Sequence, residues 1–140
     1  LEDILNTERI TFLKQALAGY PVIFEIQADT PMLDPKILAI IETLKKDGFG
    51  VALDNVSETS LVETLKEGSV DYVKMHGDII RNLLLNANAK AQCNTLLNHC
   101  HNKKLKTVAT YINAQSTLEA VQALPFDLFQ GYSFEQPHLL

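Results

Sequence analysis

Residues 51–56 read V-A-L-D-N-V, an apolar run that closes on the carboxylate Asp54 and the amide Asn55. Two adjacent carboxylates at such a place would suit hard divalent cations, which prefer anionic oxygen ligands. Here the second place holds a neutral amide, which brings no charge. The stretch is therefore one arm of a metal site, the remainder of a metal site that was lost, or simply the start of a turn.

Polar residues close the other apolar runs of the chain as well. Each has an ordinary structural interpretation: Lys74, for example, is a long side chain whose charged end can reach solvent from a strand. Ligands of parallel α/β folds bind where the carboxyl ends of the strands meet, so the whole set favours a binding rim or the remains of a catalytic one. Besides Asp54 and Asn55, this rim would contain Glu25 to Asp29, Lys74, His76, Thr110 to Asn113, and Gln130.

Five short, apolar runs rich in β-branched residues predict strands. They are nearly continuous rather than alternating, which is typical of parallel strands covered by helices on their faces. The runs are Val22–Ile26, Val51–Asp54, Tyr72–His76, Lys106–Tyr111 and Asp127–Tyr132.

Stretches with helical spacing and terminal signals separate these runs. Asp34 and Pro35 are a strong start signal, and Gly48 a strong stop signal. The five predicted helices are Thr7–Ala18, Pro35 to Gly48, one capped by Ser57 and closed by Gly68, a long one over Asp78–Asn102, and one from Asn113 or Ser116 to Pro125.

This alternation predicts an α/β fold with a parallel sheet of about five strands and five helices. Connections of this length suit either a doubly wound sheet or a segment of a (β/α)₈ barrel. Five strands do not close an eight-stranded barrel, so the residues alone leave closure open.

Composition excludes several classes of function. The chain carries a formal charge of −5 and has 46% hydrophobic residues. An acidic, core-forming domain is a poor direct binder of nucleic acid or anionic lipid.

Cys93 and Cys100 would lie roughly 10 Å apart on one helix, too far for a disulfide. We therefore expect reduced, half-buried cytosolic thiols, and without a C-x-x-C spacing we do not expect a metal cluster with His99 and His101.

Five runs of the chain, in order, resemble the second half of an EAL domain, the (β/α)₈ barrel family that hydrolyses the bacterial messenger cyclic di-GMP. The runs here are F-E-I-Q-A-D, A-L-D-N-V, V-K-M-H, V-A-T-Y-I-N and F-Q-G-Y. The corresponding family runs are L-E-I-T-E, D-D-F-G, L-K-I-D, A-E-G-V-E and Q-G-Y. The resemblance covers essentially all 140 residues and implies a C-terminal segment of a TIM-type EAL barrel whose N-terminal strands, with the E-A-L signature, are missing.

The resemblance implies that part of the family's site is retained. Glu25 matches the metal-binding glutamate of L-E-I-T-E, and Asp54 matches the first aspartate of D-D-F-G. Lys74 matches the lysine that touches the attacking water, and Gln130 keeps the closing Q-G-Y. Asp29 and His76 are further candidates for the rim.

Other positions of the family pattern have changed. The second aspartate of D-D-F-G, shared between two metals, falls on Asn55, and the two glutamates of A-E-G-V-E fall on Thr110 and Asn113. Ala28 replaces the second glutamate of L-E-I-T-E, and His76 replaces the aspartate of L-K-I-D. The resemblance therefore implies a degenerate, catalytically inactive domain in which Mg²⁺ or Mn²⁺ binding is weak or absent.

Within the family, V-K-M-H followed by Arg81-Asn82 resembles the CsrD/MshH-like regulators. That likeness implies a non-enzymatic module that acts through protein contacts in bacterial signalling, in carbon-storage and small-RNA turnover or in biofilm and motility control. The implied partner is the glucose-specific IIA protein of the phosphotransferase system. A non-hydrolysing receptor for cyclic di-GMP is the alternative, and a residual phosphodiesterase is a third.

The chain opens on Leu1, and we expect it to be part of a longer polypeptide. By the resemblance, that polypeptide works at the cytoplasmic face, anchored in the inner membrane through segments outside this chain. A barrel segment leaves strand edges unpaired, so we also expect it to associate with a second copy or to cover an edge with its terminal segments.

Overall fold

The computed structural model describes residues 22–112 and 114–131. The strands of this part are β1 (Ile23–Gln27), β2 (Gly50–Val56), β3 (Tyr72–Met75), β4 (Lys106–Ile112) and β5 (Leu128–Gly131). Its helices are α1 (Pro35–Lys46), α2 (Thr59–Thr64), α3 (Gly77–Asn82), α4 (Ala87–Asn102) and α5 (Gln115–Gln122). The helix predicted over Thr7–Ala18 and the candidate Asn113 lie outside the described residues.

The five strands form one parallel sheet whose spatial order follows the chain, β1-β2-β3-β4-β5. A doubly wound sheet reverses its order at a switch point, whereas a (β/α) barrel adds each strand beside the previous one. The α/β prediction is therefore confirmed, and the strand order is that of a barrel segment. Within the described residues, β1 and β5 each pair on one side only.

The core lies between the sheet and its covering helices. Each strand buries the side chains that point toward the helices, and each helix buries one apolar face against them. Burying a side chain the size of leucine stabilises the fold by roughly 1.5–3 kcal/mol. Fully buried members of this core include Val51, Leu53, Val73, Met75, Leu44, Leu61, Leu96, Leu97 and Val121.

The strongest helix signals in the sequence are confirmed. Asp34 caps α1 by accepting the backbone N–H of Lys36 at 2.8 Å, and Pro35 is the first helical residue. Gly48 follows the end of α1 with a φ of +91°, a backbone conformation that costs glycine no side-chain clash. The side chains predicted to face inward from α2 and α5 are buried, as Leu61, Val62, Leu65, Leu118, Val121 and Leu124.

Two of the helices were predicted with the wrong bounds. The helix expected over Asp78–Asn102 is broken into α3 and α4, because the Asn86 side chain accepts the backbone N–H of Ala89 at 2.7 Å and starts a new helix there. The helix expected to start at a Ser57 cap begins after Glu58, with no side-chain cap, and ends at Thr64. Gly68 does not end that helix: it adopts a φ of +65° in the later turn before β3.

Both cysteines are fully buried rather than half-buried, and neither forms a disulfide. Burial raises the pKa of each thiol to about 12, and the Asp127 carboxylate adds to the rise at Cys100. Both side chains are therefore protonated core residues at neutral pH.

None of the described helices has the length and apolar character that a membrane span requires.

Two aspartates join the strands at the amino-terminal edge of the sheet. Asp71 stands just before β3, and its carboxylate accepts the backbone N–H of Val51 at 2.7 Å and pairs with Lys45 at the end of α1. Asp127 stands just before β5, accepts the backbone N–H of Thr107 at 2.8 Å, and contacts the His101 ring at 3.1 Å. Each carboxylate thus ties two neighbouring strands to the end of a helix.

Candidate functional site at the carboxyl ends of the strands

The parallel sheet brings the predicted rim residues to one edge. Glu25 and Asp54 lie on the adjacent strands β1 and β2, Lys74 on β3, Thr110 on β4, and Gln130 on β5. Residues that alternate along a strand share a face, so Gln27 lies on the same face as Glu25. In the register of the sheet, Gln27 is directly opposite Asp54.

Glu25 and Lys74 form an ion pair that crosses a strand. Lys74 Nζ donates to Glu25 Oε1, although β2 lies between their two strands. The residue of β2 opposite Glu25 is Ala52, whose small side chain leaves room for the lysine to pass. The Lys74 side chain is 12% exposed and that of Glu25 is 50% exposed. Both line a cavity of about 180 Å³ together with Ile23, Ala52, Tyr72 and Val108.

Asp54 and Asn55 form a β-bulge at the end of β2. The register passes from Leu53 to Val56 on β2 while it advances only from Val73 to Met75 on β3. Asn55 has a φ of +59°, a left-handed conformation that asparagine tolerates better than most residues. Bulges of this kind re-aim side chains and are frequent beside functional sites.

One side-chain amide holds this bulge. Gln27 Nε2 donates to Asp54 Oδ2 at 3.2 Å, and Asn55 Nδ2 donates to Gln27 Oε1 at 2.7 Å. The other carboxylate oxygen of Asp54 accepts the backbone N–H of Asn55 at 3.0 Å. We call these three residues, Gln27, Asp54 and Asn55, the amide clasp.

A second bulge lies at the end of β4, and the residues that the structure describes form no comparable polar network around it. Thr110 is 5% exposed, and its hydroxyl donates to the backbone carbonyl of Met75 at 3.1 Å. Tyr111 has a φ of +60°, which is strained for an aromatic residue, and its ring is half-exposed. A Cβ added to Gly77 would lie 2.8 Å from Cδ2 of that ring, so Tyr111 can pack here only on a glycine.

The remaining candidates are His76, Asp29 and Gln130. His76 caps α3, since its Nδ1 accepts the backbone N–H of Asp78 at 3.0 Å. Asp29 is exposed after the end of β1, and Gln130 is half-buried on β5. Within the described residues, the side chains of Asp29 and Gln130 form no hydrogen bond to another residue.

Comparison with known proteins decides the family. The EAL domain model matches residues 4–137. This chain belongs to the EAL domain family. It is 31% identical over 121 residues to the cyclic di-GMP phosphodiesterase PdeB of Shewanella oneidensis, covering 85% of this chain and 14% of that protein. It is 26% identical over 129 residues to the cyclic di-GMP phosphodiesterase PdeF of Escherichia coli, covering 91% of this chain and 17% of that protein.

Solved EAL structures share this fold. PaMucR phosphodiesterase in a c-di-GMP complex superposes with a TM-score of 0.81 at 21% identity, over 97% of this chain and 58% of that one. Klebsiella pneumoniae BlrP1 in a manganese and c-di-GMP complex superposes with a TM-score of 0.80 at 19% identity, over 96% of this chain and 36% of that one. The EAL chain described here thus spans about one-seventh to one-sixth of the curated relatives and part of each solved barrel.

The two acidic side chains that the described strands place at this rim are both engaged by protein groups, which is a poor fit to a divalent metal centre. Nowhere in residues 22–112 and 114–131 do three or more His, Cys, Asp or Glu side chains group so as to hold a metal ion. Glu25 is paired with a lysine, and both carboxylate oxygens of Asp54 accept hydrogen bonds from the protein. A metal ion would have to displace these donors.

Two residues that organise this EAL rim fell inside the predicted rim ranges but were not singled out as site residues from the sequence. Gln27 could have been found from its alternation with Glu25, which puts both on one face of β1. Tyr111 falls on the glycine of the family's A-E-G-V-E when Thr110 and Asn113 fall on its two glutamates. Its left-handed backbone explains why a glycine suits that place.

Proposed function

We propose that residues 1–140 are the C-terminal portion of a degenerate EAL domain that does not hydrolyse cyclic di-GMP and that regulates through protein contacts. The observation that carries this proposal is the amide clasp. Asn55 stands where the family has its second aspartate, and the one carboxylate of the clasp, that of Asp54, accepts hydrogen bonds from protein groups. Glu25, Asp54, Lys74 and Gln130 are then remnants of the family's site, with Asn55, Thr110 and Asn113 as its lost positions.

Hydrolysis by two metals needs several anionic oxygens to hold both ions against their mutual repulsion. The amide of Asn55 brings no charge, and the hydroxyl of Thr110 is turned to a backbone carbonyl. The ammonium of Lys74 already neutralises Glu25, so a divalent ion at this rim would lack compensating charge.

The likeness of V-K-M-H and Arg81-Asn82 to the CsrD/MshH-like regulators supports a role in carbon-storage and small-RNA turnover or in biofilm and motility control. The proposed partner is the glucose-specific IIA phosphotransferase protein. The chain would act at the cytoplasmic face of the inner membrane, held there by segments beyond it. An effect on RNA would run through proteins, since the chain has a net charge of −5.

A non-hydrolysing receptor for cyclic di-GMP is the second candidate. It is favoured by the match of this fold to structures that hold c-di-GMP, over 96–97% of the chain. Lys74 and Gln130 would be its retained contacts. Hydrolysis of the dinucleotide or of another phosphodiester is the third candidate, which the amide clasp disfavours.

The deciding experiment measures cyclic di-GMP hydrolysis and binding by the wild-type chain with millimolar Mg²⁺ or Mn²⁺. We expect no product above a protein-free blank, and no calorimetric heat at micromolar dinucleotide. The EAL region of PdeB is the positive control. Measurable turnover would overturn the proposal, and micromolar binding without turnover would establish the receptor function instead.

A second measurement tests the partner. Titration of the glucose-specific IIA protein into the chain should give saturable binding that persists without divalent ions. Absence of binding at tens of micromolar protein would remove this partner.

A further inference from the structure

We propose that Gln27 takes the place of a metal ion at this rim, so that Gln27 together with Asn55 decides whether the rim can bind a divalent cation. The inference rests on the proposed function, and it assigns a role to a residue outside the family's site. It predicts that restoring a carboxylate at position 55 is not sufficient to create a cation site.

The hydrogen-bond pattern of the amide clasp fits only one acid and one amide. Gln27 uses its N–H group toward the acid, Asp54, and its carbonyl oxygen toward the amide N–H of Asn55. Each polar end of Gln27 therefore meets a group of opposite character. The Gln27 side chain on β1 thus contacts both Asp54 and Asn55 on β2. A cation shared between ligands on the two strands would bridge the same groups.

An aspartate at position 55 would break this match. Its carboxylate would face the Gln27 carbonyl oxygen, and two acceptors at hydrogen-bond distance repel each other. Rotating the Gln27 amide by half a turn would only move the same conflict to Asp54. Gln27 thus opposes a second carboxylate, and its side chain fills the space next to both positions.

Removing the Gln27 side chain would remove this opposition to a second carboxylate. With a small residue at position 27 and an aspartate at position 55, the bulge would carry two neighbouring carboxylates without an amide between them, while Glu25 on the adjacent strand stays paired with Lys74. Carboxylate oxygens are the ligands that Mg²⁺ and Mn²⁺ prefer. The pair of changes should therefore give cation binding that neither change gives alone.

The test measures Mn²⁺ binding by calorimetry and by electron paramagnetic resonance of free Mn²⁺, with no nucleotide present. The variants are Asn55→Asp, Gln27→Ala, Gln27→Thr, and each Gln27 change combined with Asn55→Asp. We expect the double variants to bind Mn²⁺ at least tenfold more tightly than Asn55→Asp alone, and Gln27→Ala alone to bind as weakly as the wild type. Threonine is included because it suits a strand better than alanine does.

Matched controls place the same changes away from the rim. Gln122→Ala and Asn94→Asp lie on exposed positions of α5 and α4, and their combination should leave Mn²⁺ binding unchanged. A second readout needs no metal: in a double-mutant cycle of urea unfolding, Gln27→Ala and Asn55→Ala should be non-additive, because each breaks the same hydrogen bond.

Equal Mn²⁺ affinity in Asn55→Asp and in both double variants, or strict additivity in the unfolding cycle, would overturn the role of Gln27. Either result would leave the proposed function untouched, because that proposal concerns the wild type. Tight Mn²⁺ binding by the wild type would contradict the proposed function itself.

Discussion

The β2–β3 and β4–β5 strand pairs are built alike at the amino-terminal edge of the sheet and differently at the other. At the first edge, Asp71 and Asp127 each stand before the second strand of the pair and accept the backbone N–H of the first strand. Four residues after those N–H groups, at Asn55 and at Tyr111, each pair has a bulge with a left-handed residue. The two strand pairs therefore share the same backbone framework, including the position of the bulge.

The side chains on the two bulges have nothing in common. The β2 bulge presents a carboxylate and an amide held by Gln27, whereas the β4 bulge presents a buried hydroxyl and an aromatic ring packed on Gly77. The position of the bulge is therefore a property of the backbone framework, while the chemistry at the bulge depends on which residues occupy it.

The largest expected effect on stability comes from removing the aspartate that each strand pair has at the amino-terminal edge of the sheet. Asp71→Ala and Asp127→Ala should each lower the free energy of unfolding by about 2 kcal/mol, because each leaves a backbone N–H without its acceptor. Urea unfolding followed by circular dichroism measures this. Asp29→Ala, at an exposed aspartate, is the control and should change stability by less than about 0.5 kcal/mol. A loss at only one of the two aspartates would mean that the pairs are not equivalent.

A smaller effect concerns the strained bulge residue. Tyr111→Gly should be more stable than Tyr111→Ala by about 1 kcal/mol, the reverse of the usual order in strands, because only glycine adopts a φ of +60° without strain. Ala109→Gly in the same strand is the control and should be destabilised in the ordinary way. If alanine proved the better residue at position 111, the backbone would not be left-handed in solution.

The smallest effect concerns the pH dependence of the stabilisation by Asp127. Burial alone raises the pKa of Asp127, but the hydrogen bonds from Thr107 and His101 outweigh burial and hold that pKa below its ordinary value of 3.8. The stabilisation is therefore complete above about pH 4 and is lost as the pH falls through the lowered pKa. Because the carboxylate is 40% exposed, we expect the loss to stay below about 1 kcal/mol.

The Asp127→Ala variant should lack this loss. Its free energy of unfolding, measured against pH, should follow the wild-type curve in shape down to about pH 4 and should not show the further decrease below that pH. Matching wild-type and variant slopes down to pH 2 would contradict it.

The sequence predicted the fold from signals that act locally. The start at Asp34-Pro35, the stop at Gly48 and the apolar runs of the strands each depend on neighbours a few residues away. The break at Asn86 was missed because its cap competes with a helical pattern that continues on both sides. The predicted rim residues do lie on neighbouring strands of the sheet, but the Gln27 contacts depend on strand register, which a single sequence does not specify.

The ion pair between Lys74 and Glu25 joins residues 49 positions apart and spans the whole width of β2. β1 is an edge strand of the described sheet, and edge strands ordinarily open first in local unfolding. A tether from β3 opposes that opening, so β1 should separate only when β3 also loosens. Backbone amides of β1 would then exchange with solvent in step with those of β3 rather than ahead of them.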